Sequence, residues 1–256
     1  MVNVWVWKPE PFGYRSIETT VERRNIVAWS VCAVPDVARV AAVRGVAHRP
    51  GGAYERYGKR VLDVVVSGIG LVITAPLQAA VAIQVRRKLG SPVLFRQLRP
   101  GRGDVPFVML KFRSMTDETG PDGDLLPDAQ RLPPFGQFLR ASSLDELPGL
   151  VNVWRGDLSL VGPRPLLMQY LPLYSPRQRR RHEVRPGLTG LAQVNGRNSL
   201  SWDAKLELDV QYVESVSFHQ DCAILASTFV QVVRQRGINA EGHVTAPEFT
   251  GNESSG

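Results

Sequence analysis

Apolar and polar positions follow different periods along this chain, and each change of period marks an element. The longest apolar run, residues 64–85, carries no charged side chain over 22 positions. As one helix it is long enough to cross the hydrocarbon core of a bilayer. Its flanks are basic on both sides, Lys59 and Arg60 before it and Arg86, Arg87 and Lys88 after it. Lys and Arg beside a membrane segment hold that flank on the cytoplasmic side, so a straight crossing strands one cluster. Pro76 near the middle removes a helical hydrogen bond. These features together predict a helix, a break at Ala75-Pro76 and a second helix over about residues 61–85, dipping into a membrane and returning. Thr74 would offer its hydroxyl to the freed carbonyls. A buried core helix and a straight span are the alternatives.

Beyond it, residues 91–97 and 105–113 read as short strands around the turn Arg99-Pro100-Gly101-Arg102-Gly103. Residues 115–134 are loop-rich, 135–154 largely helical, and 158–161 a strand. Residues 185–190 and Asn195-Gly196-Arg197 read as turns. Residues 201–213 and 218–236 space their apolar positions as helices do. In the second of these, Phe218, Leu225, Phe229 and Val232/Val233 form the apolar face, buried either at a membrane interface or in a core. The mixture predicts a small α+β fold. Residues 1–52 differ in composition. Their Val- and Ala-rich part, 25–47, is interrupted by Pro35, Asp36, Arg39 and Arg44, and Gly51-Gly52 reads as a break. They are expected to be an accessory, poorly ordered and dispensable extension, with residues 53–256 as the main domain.

Charge narrows the partners. The 256 residues carry a formal net charge of +7, which suits nucleic acid, acidic lipid or a phosphorylated substrate. Nucleic acid loses ground because the few aromatics are not interleaved with the basic runs as a stacking platform requires. Cys32 and Cys222 are too far apart for a metal-like spacing, and the four histidines are scattered, so a metal here would be Mg²⁺ or Mn²⁺ on oxygen ligands. The N-terminus lacks the basic start and apolar core of a signal peptide, which leaves the soluble part in the cytoplasm.

The densest chemistry is Ser143-Leu144-Asp145-Glu146-Leu147-Pro148. Ser followed three residues later by Glu is also a helix capping box, a purely structural use of Glu146. Against that stand the cations of neighbouring segments, Lys111, Arg113, Arg140 and Arg164, which would keep a carboxylate ionised as nucleophile or metal ligand. Gly162-Pro163-Arg164-Pro165 aims one arginine from a stiff loop, as bidentate phosphate contact needs. Residues 165–182 place apolar and aromatic side chains beside Arg177, Arg179, Arg180 and Arg181, either a bilayer interface or a solvated basic face.

Taken in order, Lys59-Arg60-Val61-Leu62-Asp63, Lys111-Phe112-Arg113-Ser114-Met115, residues 143–148, 156–165 and 185–197 resemble the monotopic bacterial phosphoglycosyl transferases (bacterial sugar transferases) over about residues 59–252. Residues 125–132 and 165–172 look most like the small PglC-type members, which transfer a phospho-diacetylbacillosamine. The resemblance implies a re-entrant membrane helix, interfacial amphipathic helices and an active site facing the cytoplasm at the bacterial inner membrane. It implies transfer of a sugar-1-phosphate from a UDP-sugar to undecaprenyl phosphate with Mg²⁺ and release of UMP, as the first membrane step of glycoprotein, capsule or exopolysaccharide assembly. The sugar would be diacetylbacillosamine, with glucose, galactose or an N-acetylhexosamine as alternatives. Downstream glycosyltransferases are further expected partners. Carried over by position, Asp145 is the nucleophile and forms a phosphosugar-aspartyl enzyme. Glu146 would bind Mg²⁺ with Asp145 or handle a proton, while Lys111, Arg140, Arg164, Arg197 and Asp209 would position phosphates, nucleotide and metal. The family break is often Ser-Pro, and Ala75-Pro76 departs from it.

Overall fold

The structure, a computed structural model, describes residues 2–10, 13–21, 52–196, 200–234 and 249–251. The expectations for residues 22–51 and for Arg197 fall outside that set. The chain divides into two units, Met1–Ala42 and Val43–Gly256. In the first, β1 (Val2–Glu10) pairs antiparallel with β2 (Gly13–Val21), Val2 opposite Val21 and Glu10 opposite Gly13.

The second unit begins with a short π-helical turn, Tyr54–Gly58, running into α1 (Lys59–Lys88). It continues with β3 (Leu94–Pro100), β4 (Pro106–Phe112), α2 (Asp128–Arg131), α3 (Pro134–Ala141), α4 (Gly149–Arg155) and β5 (Ser159–Val161). Then come α5 (Pro176–Arg179), β6 (Gly187–Thr189), α6 (Leu191–Val194), α7 (Trp202–Glu214) and α8 (Phe218–Arg234). Strands β3 and β4 form an antiparallel hairpin, Leu94 opposite Phe112. Strands β5 and β6 pair in parallel, Ser159 with Gly187 and Val161 with Thr189. Residues 185–190, expected as a turn, therefore include a strand. The mixed α+β class is as expected.

Helix α1 is continuous across Ala75 and Pro76, so the expected interruption is not present as a break in secondary structure. Thr74 donates its hydroxyl to the Gly70 carbonyl at 2.6 Å, whereas Pro76 deprives the Val72 carbonyl of its helical donor. Thr74 thus does not do the expected repair. Both ends of α1 are fastened to the same body. At the start, Lys59 pairs with Asp221 at 2.6 Å, Arg60 donates to the Val153 and Trp154 carbonyls, and Asp63 accepts from Ser159 and from Leu160 N–H. At the far end, Val81, Val85 and Leu89 pack with Phe112 and Leu139. The opposite stripe, Val61, Val65, Ile69, Val72 and Ile73, is at least half exposed. A helix covered on all sides by protein would not leave such a patch, so the core-helix alternative fails.

Phe218 and Phe229 do not lie in a protein core, one of the two placements expected for the apolar face of α8. In α8, Asp221, Ile224 and Leu225 face the body, while Phe218 and Phe229 are exposed; the Val233 side chain is outside the described set. Buried Asp221 takes bonds from Lys59, Tyr54 and Tyr212, and this fixes the helix rotation, because a buried charge must keep its partners. In residues 165–182, Tyr170 and Tyr174 are buried with Phe249 and Leu206. The arginines meet acids: Arg177 Glu207, Arg179 Asp104, Arg180 Glu214 and Arg181 Asp209. The arginines of that segment are thus paired with acids, while Arg177 and Arg179 keep much of their side chains in solvent.

Candidate active site

The acid pair stands on a tight turn between two helices. Leu139 on α3 is fully buried, and Leu144 and Leu147 pack against the cluster it belongs to. Between them Ser143 is forced to φ 57°, a left-handed conformation costing a non-glycine residue roughly 1–3 kcal/mol and found most often at functional sites. From there Leu144–Glu146 form one 3₁₀ turn leading into α4. The capping box, the structural alternative for Ser143 and Glu146, does not form, because the αL backbone leaves Ser143 without a side-chain cap bond. Glu146 is released for other partners.

It finds two. Lys111 Nζ from β4 donates to Glu146 Oε1 at 2.8 Å, and Arg164 Nη2 donates to the same oxygen at 2.9 Å. The two cations hold the Glu146 carboxyl well below the usual range, against the effect of burial. Arg140 in the last turn of α3 donates from Nε to Ser114 Oγ at 3.0 Å and sends its charge toward Asp145. Arg113, by contrast, is turned away, pairing with Asp117 and with the Ser91 and Met115 carbonyls.

Asp145 is only 8 % exposed, yet among the described residues its carboxylate has no hydrogen-bond or ion-pair partner. Burial raises its pKa to about 6; the Glu146 charge adds to the rise, and Lys111, Arg164 and Arg140 oppose it. At neutral pH it is mainly ionised, buried and unoccupied, facing cations already ordered by its neighbour. That arrangement suits nucleophilic attack on a phosphate.

Arg164 is placed by the parallel pairing of β5 and β6. Gly162 N–H donates to the Thr189 carbonyl and Gly187 N–H to the Pro163 carbonyl, both within 3.0 Å. A Cβ on Gly162 would lie 2.5 Å from the Arg185 carbonyl oxygen, so only glycine permits the approach. Arg181 Nη2 then grips the Arg164 carbonyl at 2.6 Å.

Lys111, Arg140, Asp145, Glu146 and Arg164 therefore converge as expected. Asp209 does not join them. It is buried on α7 in an ion pair with Arg181, 2.7 Å from Nη2 and 3.0 Å from Nε. It reaches the site only through the Arg181 grip on Arg164. Sequence reading missed Arg181, whose only signal was one arginine among several in a basic run. It also missed Asn152, which bonds Leu110 N–H, the Val108 carbonyl and Asp157 and so ties α4 to the strand carrying Lys111.

The Asp145-Glu146 pair offers oxygen donors of the hard type Mg²⁺ prefers. Among the described residues no group of three or more acids, histidines or cysteines comes together to hold a metal, so such an ion would take its other ligands from phosphate and water.

The chain is similar to known proteins over most of its length. A family model described as bacterial sugar transferase matches residues 54–235. An uncharacterized sugar transferase, EpsL, of Bacillus subtilis (strain 168) is 53 % identical over 76 % of this chain and 96 % of its own length. A UDP-glucose:undecaprenyl-phosphate glucose-1-phosphate transferase of Caulobacter vibrioides is 41 % identical over 70 % of this chain and 73 % of its own. An undecaprenyl-phosphate galactose phosphotransferase of Salmonella typhimurium is 36 % identical over 71 % of this chain and 42 % of its own.

Proposed function

The chain belongs to the bacterial sugar transferase family, a family of enzymes, and from that premise we propose that it transfers a hexose-1-phosphate from a UDP-sugar to undecaprenyl phosphate at a membrane surface. The observation that carries this reading is the buried Asp145 carboxylate, unpaired among the described residues, beside a Glu146 already committed to Lys111 and Arg164. The relatives named above for a donor use glucose or galactose, and those sugars are the first expectation. Diacetylbacillosamine belongs on the same test panel because of the PglC-type resemblance.

The reaction divides into two displacements. An Asp145 carboxylate oxygen attacks the β-phosphorus of the UDP-sugar; the bond from that phosphorus to the bridging oxygen breaks and UMP leaves. An oxygen of the lipid phosphate then attacks the phosphosugar-aspartyl phosphorus, the Asp145–phosphorus bond breaks, and the lipid diphosphosugar departs with Asp145 restored. Lys111, Arg140 and Arg164 offset the charge that gathers on the phosphoryl oxygens. Glu146, held as a permanent anion, is a poor proton acceptor; its part is to fix Lys111 and Arg164. Mg²⁺ held by Asp145 and Glu146 would supply further charge neutralisation on the diphosphate.

The placement at a membrane rests on α1. A helix of that length spans about 45 Å, and in a straight crossing its two ends would lie on opposite sides. Here both ends contact one body, which supports a helix held in one leaflet with the site on the cytoplasmic face. Exposed Trp154 is of the kind enriched at a bilayer interface.

The test is UMP release by purified protein supplied with undecaprenyl phosphate, Mg²⁺ and a panel of UDP-sugars. One sugar is expected to give turnover, and Asp145→Asn to lower it by about 10³-fold or more while leaving the melting temperature near that of the wild type. Near-normal UMP release by Asp145→Asn would sink the covalent route.

A further inference from the structure

The hairpin β3–β4 carries an arginine that the site above leaves unused. Arg99, opposite Phe107, donates from Nη2 to Gln97 Oε1 at 2.5 Å and from Nη1 to the Pro165 carbonyl at 3.4 Å. Its Nε is buried and has no hydrogen-bond partner. Buried Arg113 and Arg181 each pair with an acid, but no acid among the described residues pairs with Arg99. Its neighbouring charge is a second cation, Arg164, which together with burial lowers the Arg99 pKa to about 10. Arg164 is already paired with Glu146 at 2.9 Å, whereas Arg99, bonded to the Pro165 carbonyl next to it, has no acid among the described residues and an orphaned buried N–H, which is costly. The cost is removed when an anion with several acceptor oxygens enters between them. A guanidinium fork fits phosphate oxygens better than any other common anion-binding side chain.

We propose that Arg99 and Arg164 form a phosphate-binding pair, in which Arg99 Nε–H donates to a phosphate oxygen of substrate bound against Asp145. The inference rests on the phosphosugar transfer reading and adds a residue to its site. The diphosphate of the nucleotide sugar and the phosphate of the lipid share the required chemistry, and kinetics separates them.

The experiment uses the full chain with Arg99→Met, Arg99→Lys and, as a remote control, Arg177→Met, whose wild-type partner is Glu207 at the surface. Without ligand, Arg99→Met is expected to melt at or above the wild-type temperature, since it removes an uncompensated buried charge; a merely structural arginine would melt lower. Inorganic pyrophosphate is expected to raise the wild-type melting temperature. That rise should be mostly lost in Arg99→Met, partly restored in Arg99→Lys and kept in Arg177→Met. In turnover, Arg99→Met should raise one KM about tenfold or more. If the affected substrate is the UDP-sugar, adduct formation without lipid slows as well, and the pair is on the nucleotide side. An effect confined to undecaprenyl phosphate puts it on the acceptor side. An intact pyrophosphate response in Arg99→Met, or both KM values within about twofold of wild type, overturns the pair while wild-type UMP release leaves the transferase reading untouched. Conversely, a wild type that binds pyrophosphate through Arg99 but releases no UMP from any donor sinks the transferase reading and leaves the pair standing.

Discussion

Asp145 and Glu146 are adjacent in sequence and meet opposite fates. One carboxylate is saturated by Lys111 and Arg164; the other is buried beside that negative charge with no partner among the described residues. The pKa of about 6 at Asp145 has a pH consequence with a definite sign. The nucleophile is the ionised form, so kcat should rise as pH climbs through about 6 and level off above it. Folding responds in the opposite sense. Because the folded pKa lies above the ordinary value of 3.8, the contribution of Asp145 to stability is full below that value and lost as pH passes about 6. A kcat flat across about pH 5 to 8 would contradict the assignment. Asp209 belongs at this scale too. With Arg181 buried opposite it, Asp209→Ala leaves an uncompensated cation and should cost roughly 3–5 kcal/mol, read by thermal or denaturant unfolding. Unchanged unfolding with lost turnover would return Asp209 to a direct role with substrate.

At the scale of elements, the strands around 91–113, the strand ending at Val161 and the two C-terminal helices were legible from period and turn residues alone. What periodicity did not convey was rotation and closure. Helix α8 is turned by Asp221, whose partners Tyr54 and Lys59 lie more than 160 residues earlier. The β5–β6 pair closes through Gly162, and the Arg164 loop depends on that closure. Gly162→Ala should therefore destabilise the chain by about 1–3 kcal/mol, a typical penalty for forced overpacking. Turnover should fall by more than the loss of folded protein explains, because Arg164 shifts. Calorimetry together with UMP release per folded molecule checks both; a stable and fully active Gly162→Ala variant would refute the closure argument. Local motifs also carried an alternative that packing rejected, at Ser143. A capping box reads from two residue identities, but whether it forms depends on a backbone angle that the packing of Leu139 and Leu147 imposes.

For the molecule as a whole, the decisive fact is that α1 is fastened to one body at both ends with an apolar stripe facing away. In cells, cysteines placed at Lys59 or Lys88 should resist a membrane-impermeant label applied from outside; labelling at one of them would establish a straight crossing. The family match starting at residue 54 covers this helix and every site residue named above. The sequence by itself determined the α+β class, the long apolar helix with two basic flanks and the identity of Lys111, Arg140, Asp145, Glu146 and Arg164, because these are carried by local runs and short motifs. Only the tertiary structure decided which acid lacks a partner among the described residues, that Asp209 pairs with Arg181, that the arginines of 177–181 meet acids, and that Arg99, bonded to the Pro165 carbonyl, has no acid partner among the described residues. Those outcomes depend on charges brought together from distant segments at a burial that sequence spacing does not encode.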